Sequence, residues 1–105
     1  MIGNQVISEI MKLEGTEYLF CYPANTLIES AAIVGIKPIM SRTERTTVNM
    51  ADGYSRVSNG HKIGVVVTQS GPGVENAFSG VAHAYAESTP ILVIPGGTAR
   101  SKSGQ

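Results

Sequence analysis

The 105-residue chain is long enough for one compact domain, because a chain of this size buries roughly 60–70% of its unfolded surface. With 42% hydrophobic and 15% charged residues it is too apolar to be disordered, and its net charge of zero gives no electrostatic reason to expect nucleic acid or an anionic membrane as a partner. Cys21 is the only cysteine, which excludes an internal disulfide and suits a reducing cytoplasm. The N-terminus lacks the layout of a signal peptide and no apolar run could span a bilayer, so we expect a cytoplasmic protein.

The first 40 residues predict helices and strands in alternation. In chain order we expect a helix over 4–14, a strand over 18–22, a helix over 26–35 and a strand over 37–40. The first helix carries apolar residues on one face and has Gly15 where it should stop. Thr26 and Glu29 have the spacing of a capping box, which marks the start of the second helix.

The alternation continues to residue 94. We expect a helix that begins at Thr43 or Glu44 and ends near 59, a strand over 63–68, a helix that ends near 87 and a strand over 91–94. The strand over 63–68 is a continuous β-branched run, which is typical of a strand covered on both faces. The last helix has an apolar stripe at helical spacing, formed by Ala77, Phe78, Val81, Ala82, Ala84 and Tyr85. Strands that alternate with helices predict a three-layer α/β fold, with a parallel sheet and helices on both faces.

Two strand-to-helix junctions carry the candidate site. Glu44 lies in the first turn of its helix, where an acid stabilises the helix by about 0.3–1 kcal/mol whether or not it has a function. The segment 70–73, Ser-Gly-Pro-Gly, predicts a tight turn that exposes bare backbone at the next helix start. In open parallel sheets, ligands bind at the carboxyl ends of the strands, which is where both junctions lie.

A nucleotide-binding module is an alternative that the glycine-rich turn invites. The dinucleotide fingerprint needs glycines at its first, third and sixth positions, but Gly71 and Gly73 are followed by Asn76. The phosphate loop needs a Gly-Lys pair, and the chain contains none. A non-catalytic interaction domain with this fold is the other alternative.

Four blocks of sequence resemble the pyrimidine-binding domain of thiamine-diphosphate enzymes, with acetolactate synthases and 2-oxo-acid decarboxylases the nearest match. The blocks are 20–25, Phe-Cys-Tyr-Pro-Ala-Asn; 42–44, Arg-Thr-Glu; 49–56, Asn-Met-Ala-Asp-Gly-Tyr-Ser-Arg; and 70–76, Ser-Gly-Pro-Gly-Val-Glu-Asn. The resemblance extends over about 6–100. This chain has Ala24 and Asn25 in place of family glycines, Thr43 where the family often has histidine, and Gly97 where it often has glutamine.

The resemblance implies a function for the junctions. Glu44 would be the catalytic residue, which hydrogen-bonds the pyrimidine of thiamine diphosphate and promotes the imino tautomer that forms the C2 ylide. The cofactor-binding residues would be Tyr22, Pro23, Ala24, Glu44, Gly71, Pro72 and Asn76. The substrate would be a small 2-oxo acid, and the reaction a carboligation by a transferase or a decarboxylation by a lyase.

The same resemblance implies that this chain supplies half of a site. The family binds the diphosphate and Mg²⁺ through a Gly-Asp-Gly motif on a separate domain or subunit, and this chain has no such motif and no metal ligands of its own. We therefore expect a diphosphate-binding partner and a homo- or hetero-oligomer, with the chain alone inactive. Residues 1–105 would be a thiamine-diphosphate-binding fold cut short at its C-terminal end, because the family's sheet has six strands and four are predicted.

Overall fold

The computed structural model describes residues 2–23, 26–97 and 101. Within them, four helices and four strands alternate in the predicted order, and their bounds differ from the expected ones by one or two residues. The elements are α1 (Gly3–Leu13), β1 (Tyr18–Cys21), α2 (Leu27–Ile33), β2 (Lys37–Met40), α3 (Glu44–Val57), β3 (Gly64–Thr68), α4 (Pro72–Ala86) and β4 (Ile91–Pro95).

The four strands form one sheet in the order β2-β1-β3-β4, and every neighbouring pair is parallel. The order reverses at β1, since β2 lies on one side of it and β3 on the other. The carboxyl ends of β1 and β3 therefore flank a topological switch point, the place where open α/β sheets bind ligands.

Helices cover both faces of the sheet, which confirms the three-layer prediction. On one face, Met11 of α1 and Leu27 of α2 pack with the buried side chains of β1 and β3. On the opposite face, Val48 of α3 and Ala77 of α4 pack against Phe20 and Val66. All five residues of β3 are buried, as its continuous β-branched run predicts.

The face of α4 that packs inward consists of small residues. The buried positions recur at helical spacing and are Gly73, Ala77, Gly80 and Ala84. Large apolar residues of the predicted stripe lie outward instead: Phe78 is 67% exposed and Tyr85 is 87% exposed. A stripe of small side chains lets the backbone of α4 lie close to its neighbour.

Helices end at glycines, as predicted, but the second helix does not begin with the predicted capping box. Gly15, Gly35 and Gly60 have φ values of 91°, 92° and 77°, the left-handed region that glycine enters without steric cost. The capping box at Thr26 is wrong: its backbone is already helical (φ −66°, ψ −21°), whereas a capping residue has extended geometry. The Thr26 hydroxyl instead accepts a hydrogen bond from the Asn4 amide at 2.7 Å.

We predict opposite effects of alanine at Gly64, where β3 contacts α3, and at Gly53, inside α3. A Cβ at Gly64 would lie 2.7 Å from the carbonyl carbon of Ala51, so Gly64→Ala must displace α3 and should cost about 1–3 kcal/mol of stability. A Cβ at Gly53, inside α3, meets nothing within 4 Å, so Gly53→Ala should gain about 0.5–1 kcal/mol. Urea unfolding of both variants measures the difference, and equal stabilities would contradict this packing.

Candidate functional site

The start of α3 is fixed by a side-chain cap. Thr43 has extended backbone geometry (φ −143°, ψ 155°), and its hydroxyl accepts a hydrogen bond from the Thr46 backbone N–H at 3.1 Å. This satisfies one of the four N–H groups that lack an intrahelical partner at a helix start. Glu44 is therefore the first residue of the helix, one of the two starts that the sequence predicts.

A hydroxyl network joins this cap to the sheet. The side chains of Ser41 and Thr47 both donate to the carbonyl oxygen of Thr43, at 2.7 and 2.9 Å. The backbone N–H of Ser41 also donates to the carbonyl of Cys21, the last residue of β1, at 3.1 Å. The backbone that carries Glu44 is thus held against the carboxyl end of a central strand. Sequence reasoning missed this network, although the Ser-x-Thr-x-x-x-Thr spacing was visible.

Glu44 itself is nearly buried, with 8% of its surface exposed. Among the described residues, its carboxyl group has no hydrogen-bond or ion-pair partner. The positive end of the α3 dipole favours a carboxylate at this position, and a carboxyl group without a protein partner can share a proton with a ligand.

The Ser-Gly-Pro-Gly turn places bare backbone beside this carboxyl group. Gly71 has φ 62° and ψ −116°, a conformation that favours glycine, and Pro72 is the first residue of α4. A Cβ at Gly73 would lie 2.8 Å from Cβ of Gln69 and 3.7 Å from Oε1 of Glu44. A Cβ at Gly71 would meet nothing within 4 Å. The two glycines therefore serve different purposes, and the close approach to Glu44 occurs at Gly73.

The other predicted site residues lie at the same edge of the sheet. Tyr22 and Pro23 directly follow β1, the first half-buried and the second exposed. Asn76 is exposed on the first turns of α4. Ala24 lies outside the described residues. The structure thus brings Glu44 together with the turn before α4, and it places Tyr22 and Pro23 after the strand to which Ser41 is hydrogen-bonded.

A cleft of about 420 Å³ opens at the carboxyl ends of β3 and β4. It is lined by Asn4, Ile7, Thr26, Leu27, Gln69, Ser70, Ile94, Pro95, Gly96 and Gly97. No described residue of this lining is charged. Gln69 belongs both to the cleft and to the contact with Gly73, so it connects the cleft with the surroundings of Glu44. Neither Gln69 nor Gly73 was among the predicted site residues. Their position directly after the buried strand β3 is the sequence feature that could have identified them.

Cys21 is a buried free cysteine. It is fully buried, and its thiol donates to the carbonyl of Ile39 at 3.7 Å. Burial raises the pKa of the Cys21 thiol, so the reactive thiolate is disfavoured. Among the described residues, no cluster of three or more His, Cys, Asp and Glu side chains could hold a metal ion. None of the described helices is both long and apolar enough to cross a membrane.

The fold and the site define a class: a parallel α/β domain with a nearly buried acid beside a glycine turn at the carboxyl edge of its sheet. The family model described as "Thiamine pyrophosphate enzyme, N-terminal TPP binding domain" matches residues 1–105, and the chain belongs to this family.

Curated relatives are large subunits of acetolactate synthase. The chain is 39% identical to the one from Haemophilus influenzae over 90% of its length and 17% of the relative's. It is 38% identical to the one from Lactococcus lactis, again over 90% of this chain and 17% of the relative. Isozyme 3 of Escherichia coli is 33% identical over 97% of this chain and 18% of the relative. The chain thus spans less than a fifth of the length of these relatives.

A solved structure shares the fold. It is an X-ray structure described as a thiamin diphosphate-dependent enzyme from Mycobacterium smegmatis, with a TM-score of 0.82 and 21% sequence identity. The match covers 98% of this chain and 20% of that one.

Proposed function

We propose that residues 1–105 form the pyrimidine-side half of a thiamine-diphosphate site in an acetolactate-synthase-like carboligase or a 2-oxo-acid decarboxylase. The observation that carries the proposal is the nearly buried Glu44 carboxyl group, 3.7 Å from the point where a Cβ of Gly73 would lie. Membership of the thiamine pyrophosphate enzyme family and the similarity to acetolactate synthase subunits support it.

The residues at this edge fit a flat heterocycle. Gly73 brings bare backbone near the Glu44 carboxyl group, at a point where a Cβ would press on Gln69, and Gly71 in the same turn faces open space that a planar ring can approach. Glu44 and Gly73 would contact the pyrimidine. We propose that the remaining cofactor contacts come from the predicted residues Tyr22, Pro23, Ala24, Gly71, Pro72 and Asn76.

Thiamine diphosphate, when bound, supplies an electron sink for chemistry at a substrate carbonyl. Glu44 would hold a proton between its carboxyl oxygen and a ring nitrogen of the pyrimidine, and so would favour the imino tautomer of the ring. A carboxyl group suits this task because it can share a proton with a weakly basic nitrogen.

The second half of the site would come from elsewhere. We propose that another domain or subunit binds the diphosphate and Mg²⁺, because the chain has no Gly-Asp-Gly motif. The working enzyme would then be an oligomer or a longer chain in which the two halves meet, acting on a small 2-oxo acid in the cytoplasm.

We predict that Glu44→Gln slows exchange of the C2 proton of bound thiamine diphosphate. The expected effect in the assembled enzyme is at least about a hundredfold, the lower range for general acid–base catalysis, measured by NMR after acid quench. Glu75→Gln is the matched control, because Glu75 is also an acid in a first helical turn but is exposed. If both variants exchanged at the wild-type rate, the assignment of Glu44 would be wrong.

Alanine at Gly73 should weaken cofactor binding. The added Cβ would press on Gln69 at 2.8 Å and fill the space beside Glu44, so affinity for thiamine diphosphate in the assembled enzyme should fall about tenfold or more. Gly3→Ala is the control, because a Cβ there meets nothing within 4 Å. Calorimetric titration in the presence of Mg²⁺ measures the affinities. Unchanged binding by Gly73→Ala would place the pyrimidine away from this turn.

A further inference from the structure

Gln69 is held in place by two glycines at the end of the buried strand β3. A Cβ at Gly73, in the first turn of α4, would lie 2.8 Å from Cβ of Gln69. A Cβ at Gly96, directly after β4, would lie 3.5 Å from the carbonyl carbon of Gln69 and 3.0 Å from the backbone nitrogen of Ser70. Because the main chain of Gln69 is packed this closely on two sides, the fold fixes the direction of its side chain.

A backbone hydrogen bond completes this arrangement. The N–H of Gly96 donates to the carbonyl oxygen of Thr68, the last residue of β3, at 2.8 Å. The ends of β3 and β4 are therefore still joined at the point where Gln69 leaves the sheet. Rigid elements hold a functional side chain more precisely than loops do, and Gln69 extends directly from such an element.

The side chain of Gln69 lines the cleft of about 420 Å³ at the carboxyl ends of β3 and β4. Small-molecule sites have volumes of about 300–1,000 Å³ and combine apolar walls with a few polar groups. Here the buried Leu27 and the half-buried Ile94 supply apolar wall. Gln69 and Glu44 both have atoms within 4 Å of the point where a Cβ of Gly73 would lie. A cofactor held at Glu44 would therefore have the cleft beside it.

Thr26 gives the cleft a second oriented polar group. The amide of Asn4, which also lines the cleft, donates to the Thr26 hydroxyl oxygen at 2.7 Å. With one lone pair engaged by Asn4, the hydroxyl can still donate its own proton to a ligand. The Gln69 amide offers both donors and an acceptor. A hydroxyl group on the ligand, which donates and accepts as well, is the chemical complement of this pair.

We propose that Gln69 is a specificity-determining residue, and that the cleft binds the side chain of a 2-oxo acid with a hydroxyl group on the carbon next to its carbonyl. The inference rests on the proposed function, because it takes the substrate carbonyl to lie at a cofactor bound beside Glu44. A substrate with an alkyl group there would leave the Gln69 amide and the Thr26 hydroxyl without a ligand partner. A site built to hydrogen-bond a hydroxyl group discriminates against the analogue that lacks it.

Hydroxypyruvate and 2-oxobutanoate are a matched pair of probes, because a hydroxymethyl and an ethyl group have nearly the same shape. Calorimetric titration of each into the assembled enzyme, loaded with Mg²⁺ and a thiamine diphosphate analogue that has no reactive C2, gives affinities without turnover. We expect hydroxypyruvate to bind at least about tenfold more tightly. With thiamine diphosphate itself, kcat/KM should favour hydroxypyruvate by a similar factor.

Variants test which groups set this preference. Gln69→Met keeps the length of the side chain but removes its amide, and Thr26→Val removes a hydroxyl without changing the shape. Each should lower the ratio of the two affinities about tenfold, the effect of one lost hydrogen bond. Thr16→Val is the control, because it removes a hydroxyl just before β1, at the opposite edge of the sheet, and should keep the wild-type ratio.

The outcomes separate this inference from the proposed function. An assembled enzyme that binds no thiamine diphosphate, or whose C2-proton exchange does not depend on Glu44, would contradict the proposed function. An enzyme whose exchange depends on Glu44 but which binds 2-oxobutanoate as tightly as hydroxypyruvate would overturn the inference about specificity alone. The same holds if the affinity ratios of Gln69→Met and Thr16→Val were equal.

Discussion

The close packing of α3 against α4 is the constraint on which the rest of the structure depends. The inward face of α4 carries only small residues, and two of them, Gly73 and Gly80, are seven residues apart and so lie on the same side of the helix. Gly80 sits against Val48, and Gly73 sits near the carboxyl group of Glu44. A larger side chain at Gly80 would force the helices apart, and one at Gly73 would press on Gln69 in the turn before α4. Because both helices follow parallel strands on one face of the sheet, their starts meet at its carboxyl edge.

Local hydrogen bonds then place an acid at that meeting point. The Thr43 cap and the hydroxyls of Ser41 and Thr47 fix where α3 begins, and the bond from Ser41 to Cys21 ties this turn to the sheet. The result is a nearly buried glutamate whose carboxyl group has no partner among the described residues. The α3 dipole favours its negative charge, and a ligand with a proton to share would add a hydrogen bond.

The sequence predicted the fold well because its signals are local. Gly15 and Gly35 end helices through their own φ values, and the β-branched run of β3 reports burial on both faces. The capping box at Thr26 failed because the hydroxyl's partner, Asn4, lies 22 residues away in the chain and a local spacing rule cannot register it.

The candidate site was predictable only in part, for the same reason. Glu44 and the Ser-Gly-Pro-Gly turn were found from their positions at strand ends and from the family resemblance. The distinction between Gly71, which needs its backbone conformation, and Gly73, where a Cβ would press on Gln69, depends on how the chain packs around the turn.

A crystal structure of the assembled enzyme with thiamine diphosphate bound tests the central claim most directly. We expect a hydrogen bond of about 2.6–3.0 Å between the Glu44 carboxyl group and a ring nitrogen of the pyrimidine, with the ring lying against the backbone of the turn before α4. A pyrimidine bound elsewhere, with Glu44 still buried and without a ligand partner, would contradict it.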